Sequence, residues 1–488
     1  MTQTPSLTRA LPWLIAGAAL SYLVGWTPNF VVAPWIVPIL LLLGSRRAPA
    51  WAPVAVALPL LSLVGIATVR GAWHMGLPAE LGFSVVLSLP LVGALLADRL
   101  LHHRLKPLAA SFVFPSVWVW FDYAYSHIYG LGDVFSPALT QFQNPVLLQL
   151  VSLTGIYGIT FAIGWTATVV ADALAHGDRD HRWTRPLAVL AAAGTLVAFY
   201  GSARLSSLDH DMPTVRVASI VVPHERDYHG EIVDRGTPST EADRFRDELR
   251  ALEDELFAQS ERATASGARI VFWAETAAVM YEDHEADYLA RGALFARKHG
   301  IYLQTASLVM RYDDPMIENQ VTLFTPEGEV AYSYLKTQTW YPTESDGVIH
   351  AHETPWGTLS SVICFDLDVP HWMRQVAALD VDILLVPGFD TRPISPYHTE
   401  AGLFRAVEGG YSIVRGVNDG TSMAVDADGR TLALQDFFRT DERILFVDVP
   451  TKGRTTVYGV VGDWVPAFCA ILFVGLVLRS RRKDQESP

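Results

Sequence analysis

Cysteine is almost absent: the 488 residues hold two, Cys364 and Cys469, which excludes a disulfide framework and a Cys-based zinc site. Charge is scarce as well. Asp, Glu, Lys and Arg make up 18% of the chain, against about 25% in an ordinary globular domain. Positive charge is the scarcer sign, with 37 Lys and Arg against 51 Asp and Glu, net −14. Such a chain lacks the basic face that nucleic-acid phosphates demand, so no nucleic-acid partner is expected. Internal repeats and low-complexity tracts are also missing. An aromatic content of 11% excludes disorder.

What the chain has in excess is apolar length. Half of its residues are hydrophobic and the mean hydropathy is +0.23, yet the charges are concentrated in one part. Ser206 to Thr456 carries 22 basic and 41 acidic residues, net −19, and the remainder carries 15 and 10, net +5. Outside the acidic part, apolar runs of roughly the 20 residues that span a bilayer recur. Seven precede it: Leu11 to Thr27, Val31 to Leu43, Val54 to Val69, Leu81 to Ala97, Leu108 to Phe121, Leu147 to Ala171 and Leu187 to Tyr200. An eighth, Gly462 to Leu478, follows it. A cleavable signal peptide rivals only the first run.

Loop charge orients these spans, because Lys and Arg accumulate on the cytoplasmic side. Thirteen basic residues fall in alternate loops and tails: Arg9, Arg46, Arg47, Arg99, Arg104, Lys106, Arg179, Arg182, Arg185, Arg479, Arg481, Arg482 and Lys483. The opposite side has two, Arg70 and Arg204. The bias predicts a multi-pass protein of the cytoplasmic (inner) membrane. Its expected parts are a membrane domain over 1–205, an extracytoplasmic domain over 213–450, a last transmembrane helix over 457–479 and a cytoplasmic tail over 480–488. Asp122 and Asp133 are expected to be solvated in an outer loop, with few ionisable groups inside the spans.

The acidic domain reads as α/β. β-rich runs occur at Val215 to Val222, Arg269 to Glu275, Ile301 to Met310, Gln320 to Phe324, Val330 to Lys336, Thr358 to Phe365, Asp382 to Val386, Tyr411 to Val417 and Ile444 to Val449. Between them, Glu241 to Ala265 keeps Phe245, Leu249, Leu252 and Leu256 on one helical face, and Pro370 suits the first turn of another helix.

Three strand ends carry reactive groups: Glu275 in Val-Phe-Trp-Ala-Glu-Thr, Lys336 in Tyr-Ser-Tyr-Leu-Lys-Thr and Cys364 in Ser-Val-Ile-Cys-Phe-Asp. A charge that ends a buried strand is expensive unless paired, and strand C-terminal ends are where α/β folds build sites. A cysteine needs a neighbouring base or cation to act as a nucleophile. Glu275 is placed to take its proton, and Lys336 to stabilise the thiolate and an oxyanion. On spacing alone a structural Glu–Lys ion pair stands as the alternative. Cys364 taken singly reads as a small buried hydrophobe, as does Cys469.

The order Glu, Lys, Cys in these contexts resembles the nitrilase, or carbon-nitrogen hydrolase, superfamily. The run Phe404 to Gly420, Phe-Arg-Ala-Val-Glu-Gly-Gly-Tyr-Ser-Ile-Val-Arg-Gly-Val-Asn-Asp-Gly, is similar to that family's R-A-x-E-x-x-R-x-x-x-R-x-x-N-x-G region, with Tyr411 where Arg is frequent. The flanking spans resemble one branch, the apolipoprotein N-acyltransferases, as do Gln141-Phe142-Gln143 through Gly155-Ile156-Tyr157-Gly158 and Gly462-Asp463-Trp464.

The resemblance implies a polytopic α-helical membrane domain joined to an αββα sandwich. It implies Glu275 as general base, Lys336 as oxyanion and orientation group, Cys364 as nucleophile and the Phe365 backbone as an oxyanion donor. Glu344 would support the site from a mobile arm, and Asp366 stands where the branch usually has Glu. Trp340, Tyr341, Phe389 and His398 are candidate substrate contacts. Trp340, Tyr341 and Phe389 also suit interfacial anchors, and His398 suits local packing, as does His371. The arm at 341–347 and the loop at Gly388-Phe389-Asp390 depart from the branch's patterns.

Neither a metal nor a cofactor is implied. The implied partners are the bilayer, a phospholipid acyl donor and a diacylated apolipoprotein acceptor, met by a monomer that works through a cysteine thioester. A membrane-anchored amidase hydrolysing an extracytoplasmic amide explains the Glu–Lys–Cys set equally but leaves seven spans without use. A non-catalytic lipid binder is disfavoured by the intact set, and a transporter by the few ionisable groups in the spans.

Overall fold

The computed structural model describes residues 5–25, 29–72, 75–128, 132–176, 183–207, 212–222, 239–312, 317–339 and 341–485. It divides into two compact units, Met1–Ser207 with Val461–Pro488, and Leu208–Val460.

The first unit is helical: α1 (Leu7–Ser21), α2 (Ala33–Arg47), α3 (Leu58–Ala72), α4 (Leu77–Leu101), the one-turn α5 (Pro107–Ala110), α6 (Val113–Ile128), the one-turn α7 (Pro145–Leu148) and α8 (Val151–Thr154), α9 (Tyr157–His176), α10 (Thr184–Ser206) and the C-terminal helix Trp464–Gln485. Among the described residues five stretches are long and apolar enough to cross a membrane: Pro53–Arg70, Leu77–Arg104, Tyr157–Ala175, Thr184–Ser206 and Trp464–Arg481. Backbone amides in hydrocarbon must bond within their own segment, which is why such runs are helical. A cavity of about 630 Å³, walled by Trp35, Leu150, Phe161, Val197 and Phe468 among others, opens within this unit.

Several expectations need correction here. The sixth run is not one continuous helix. Gly155 takes φ +63°, a conformation that suits glycine and stops a helix, so α9 starts only at Tyr157. The fifth run is also interrupted, between α5 and α6 at Ser111 and Phe112. Asp122 and Asp133 are not solvated; they are 7% and 2% exposed. Asp122 lies on α6 and accepts hydrogen bonds from Ser136 Oγ at 2.8 Å and Thr160 Oγ1 at 3.0 Å, so folding supplies the polar partners that a loop would have found in water. Ionisable groups also gather at the span ends. Arg46 of α2 pairs with Asp98 of α4 at 2.8 Å and Asp172 of α9 at 2.9 Å, and His102 lies 3.0 Å from Asp172. Buried charge in an apolar bundle has to be paired in this way. Arg179 and Arg182 lie outside the described residues.

The second unit is built on two sheets. One has β1 (Thr214–Ile220), β2 (Ile270–Trp273), β3 (Ala278–Tyr281), β4 (Tyr302–Met310), β5 (Ile317–Phe324) and β6 (Val330–Leu335), with β13 (Ile444–Pro450), in the order β13-β1-β2-β4-β5-β6 and β3 paired to β4. The other has β7 (Ala351–Thr354), β8 (Gly357–Ser361), β9 (Ile383–Phe389), β10 (Ser412–Asn418), β11 (Thr421–Val425) and β12 (Thr431–Asp436), in the order β12-β11-β10-β9-β8-β7. Each sheet is parallel at its centre, β1–β2–β4 and β8–β9–β10. Helices make the crossovers: α11 (Ser239–Ala265) and α12 (Glu282–His299) in the first, α13 (Pro370–Ala378) and α14 (Ser395–Gly409) in the second.

Val217, Ile270, Phe272 and Leu323 of one sheet pack with Leu359, Ile383, Leu385 and Val414 of the other. The central strands are therefore buried on both faces, as their near-continuous apolar runs require. At Gly416 the sheets approach so closely that an added Cβ would lie 1.9 Å from Ser219 Oγ. With α11 and α12 against the first sheet and α14 against the second, the unit is an αββα sandwich.

Candidate active site

Glu275 sits just past β2, where the chain turns; its neighbour Thr276 takes φ +51°. The carboxylate is 3% exposed. Its Oε1 accepts from Lys336 Nζ at 2.5 Å and from Asn319 Nδ2 at 2.8 Å, while Oε2 is buried with no hydrogen-bond partner among the described residues. Asn418 Nδ2 donates to the Glu275 carbonyl at 3.3 Å, which holds the turn. Lys336 directly follows β6, its amide donating to the Asn319 carbonyl at 2.8 Å. Burial opposes the ammonium, but Glu275, followed by Cys364, outweighs it and holds the Lys336 pKa well above its ordinary value.

Cys364 follows β8 and opens a 3-10 helix, Cys364–Asp368. It takes φ +51°, a strained conformation for a non-glycine residue, and the turn presents Sγ at the strand's end. The thiol is 2% exposed and donates to the Phe389 carbonyl at 3.7 Å. Burial, reinforced by Glu275, pushes its pKa up, and Lys336 and Arg415 only partly counter this. At neutral pH the sulfur is a thiol, and it needs a base to become a nucleophile.

Asp366 braces the turn. Its carboxylate accepts from Tyr334 Oη at 2.9 Å, the Gln338 amide at 2.6 Å and the Ile363 amide at 3.2 Å. Burial raises its pKa to about 6, against the pull of Lys336. The acid thus ties the end of β6 to the nucleophile's turn, a role that suits its short side chain.

The structure brings Glu275, Lys336, Cys364 and Asp366 together, and it brings the Phe389 carbonyl to the sulfur. Tyr341 is half-buried against Leu249, Val279, Tyr281 and Leu308 and lies within electrostatic reach of Lys336 and Glu275. His398 stacks on Phe365, ring centroids 4.5 Å apart. Glu344 is not brought in: it is exposed, on an arm tied down by Thr343 Oγ1 to the Lys336 carbonyl (3.1 Å), Ser345 Oγ to the Leu335 carbonyl (2.9 Å) and Gln375 Nε2 to the Gly347 carbonyl (2.9 Å). Trp340 lies outside the described residues.

Sequence reasoning missed Asn319, Tyr334 and Asp368 as members of the site, and reached Asp390 only through its place in the Gly388-Phe389-Asp390 loop. Arg415 and Asn418 stood inside the Phe404 to Gly420 run, which was the one signal available for them. In the same run Arg405 donates to Glu408 within α14. Donor atoms of Cys364, Asp390 and His398 lie within 4.8 Å of one another. Both His398 nitrogens are engaged by carboxylates and the Arg415 cation joins them, a set that suits charge balance better than metal ligation.

A cysteine on a strained strand-to-helix turn, beside a buried Glu–Lys pair in an αββα sandwich, defines a nitrilase-like enzyme. The carbon-nitrogen hydrolase model matches residues 248–456, and the apolipoprotein N-acyltransferase N-terminal domain model matches residues 7–169. An apolipoprotein N-acyltransferase of Azotobacter vinelandii is 24% identical over 86% of this chain and 83% of its own length. One from Geobacter metallireducens is 26% identical over 75% and 74%. An (R)-stereoselective amidase of Pseudomonas is 31% identical, but over only 28% of this chain and 58% of its own. The chain belongs to the apolipoprotein N-acyltransferase branch of the nitrilase superfamily.

Proposed function

We propose that this enzyme transfers a fatty acyl group from a phospholipid, through a thioester on Cys364, to the N-terminal α-amine of diacylglyceryl-cysteine on lipoproteins. The observation that carries the chemistry is the divided carboxylate of Glu275, one oxygen committed to Lys336 and the other buried without a hydrogen-bond partner among the described residues. That second oxygen is the general base. It takes the Cys364 proton as sulfur attacks the ester carbonyl of the donor. Lys336 Nζ and the Phe365 amide hold the oxyanion that forms. Collapse breaks the ester C–O bond, and Glu275 returns the proton to the departing lysophospholipid hydroxyl. In the second half the acceptor's α-amine attacks the thioester, Glu275 takes the amine proton, and collapse releases the amide and the thiolate, which is reprotonated.

A membrane location suits this reaction because each CH₂ of an acyl chain costs about 0.8 kcal/mol to bring into water. The thirteen-to-two bias of loop charge supports a multi-pass chain of the cytoplasmic (inner) membrane, with residues 213–450 outside. A reporter inserted near Gly236 is expected to score as external and one after Arg482 as internal. Both on the same side would refute this orientation.

The function itself is tested in cells lacking lipoprotein N-acylation. The full chain is expected to restore the amide-linked third acyl chain on lipoproteins, seen by mass spectrometry of their N-terminal peptides. Lipoproteins that stay diacylated despite a well-expressed, membrane-inserted chain would remove the proposal and favour the amidase reading.

A further inference from the structure

Cys364 has a second set of charged neighbours that the transfer chemistry leaves unused. His398, 1% exposed on α14, lies between two buried acids, Nδ1 at 2.8 Å from Asp390 Oδ1 and Nε2 at 2.6 Å from Asp368 Oδ2. Asp390 follows β9 and Asp368 ends the 3-10 helix that Cys364 opens. From β10, Arg415, its side chain fully buried, donates to Asp390 Oδ1 at 3.1 Å and to Thr399 Oγ1 at 3.0 Å, and its Nη2 also lies 2.9 Å from His398 Nδ1. Asp368 Oδ1 and Asp390 Oδ2 have no hydrogen-bond partner among the described residues. The two carboxylates therefore depend on His398 and Arg415 for compensation, and a buried charge left uncompensated is costly.

Four elements thus meet beside the nucleophile with two acids, one guanidinium and one titratable ring. As an imidazolium, His398 donates to both acids and the cluster sums to zero. As a neutral ring it can donate to only one, and the cluster becomes net negative beside the sulfur. Burial and Arg415 oppose the imidazolium, but Asp368 and Asp390 outweigh them and raise its pKa above the ordinary value. The other charged groups facing Cys364 are Glu275 and Lys336, and Asp366 acts in turn on Lys336. A negative cluster would oppose the thiolate on which acylation depends.

We propose that His398 is a positioning residue for the acylation step: it keeps the Asp368–Asp390–Arg415 cluster neutral next to Cys364 and holds the Asp390 end of β9, from which the Phe389 carbonyl meets the thiol. This rests on Cys364 being the nucleophile. The assay below reads the thiol directly, without turnover, so the two ideas fail separately.

The experiment uses the full chain in detergent with Cys469→Ser, so that Cys364 is the single thiol, and follows its alkylation by iodoacetamide against pH by intact mass. His398→Gln leaves the cluster net negative and should move the alkylation midpoint up by about one pH unit, slowing the reaction about tenfold at a fixed pH below it. Asp368→Asn leaves it net positive and should move the midpoint down. Asp368→Asn with His398→Gln restores neutrality and should return the midpoint close to that of the parent. Opposed shifts with rescue in the double variant are beyond a role in packing alone, which lowers reactivity in every variant. Unchanged midpoints, or a double variant no better than His398→Gln, would overturn the proposal.

Discussion

Replacing Cys364 by Ser is expected to abolish acyl transfer, by about four orders of magnitude or more, as for a nucleophile that acts as a unit with its base. The substitution is nearly isosteric, so the strained turn at φ +51° and the Asp366 brace survive it. What is lost is acidity. The Cys364 thiol is already pushed above its ordinary range by burial, so Glu275 is working against a gradient; an alcohol steepens that gradient by several further pH units. Serine also forms an oxygen ester with the donor, which is no more reactive toward an amine than the phospholipid it came from. Cys469→Ser, in the C-terminal helix of the other unit, should leave turnover close to the wild-type value. A folded Cys364→Ser protein that turns over at the wild-type rate would eliminate the thioester mechanism.

Glu275→Gln and Lys336→Met are expected to cost about 10² to 10⁴ in rate each, the range of a general base, and to fail for linked reasons. Glu275→Gln removes the base and leaves a buried ammonium without its counter-charge, which breaking a buried pair makes expensive at about 3–5 kcal/mol. Lys336→Met leaves the buried Glu275 carboxylate with Asn319 as its remaining donor among the described residues and without the cation that orients it for proton transfer. Because each change disables the same proton transfer, the two should not multiply. The double variant is expected to be no slower than the worse single one, and to recover thermal stability because no unpaired charge remains. Rates that multiply in the double variant would show that Glu275 and Lys336 act independently.

Much of this site was legible because its members stand at the ends of β-rich runs. Ile270–Trp273, Val330–Leu335 and Gly357–Ser361 each hand over to a charged or reactive residue within a few positions, and burial of a strand end forces such residues toward one another. The strands that went unread are short or lie toward sheet edges. β7 and β12 close the two edges of the second sheet, half exposed, with His352, Glu353 and Gln435 diluting any apolar pattern. β3 has four residues, too few for a period to show.

Long-range partners were the harder part. Asn319 reaches Glu275 across 44 positions, and nothing in Ile-Glu-Asn-Gln-Val marks which of its polar side chains turns inward. In the membrane unit the same difficulty recurs. Arg46 reads as loop charge because Asp98 and Asp172, its partners, lie 52 and 126 residues away. Asp122 reads as solvated because the Ser136 and Thr160 hydroxyls that satisfy it come from other elements.

Acyl transfer by this route requires a thioester that outlives its formation. A transferase has to hold its acyl group against water until a lipoprotein arrives by diffusion in the membrane plane, whereas a hydrolase gains nothing by protecting it. The direct measurement is intact mass spectrometry of the purified chain after incubation with phospholipid and no acceptor. A discrete mass increase equal to one long acyl chain is expected on Cys364, removable by hydroxylamine, absent in Cys364→Ala, and discharged into an amide by a diacylated lipopeptide with a free α-amine but not by its acetylated form. Steady release of free fatty acid with no adduct on Cys364, or turnover confined to a small water-soluble amide, would contradict it.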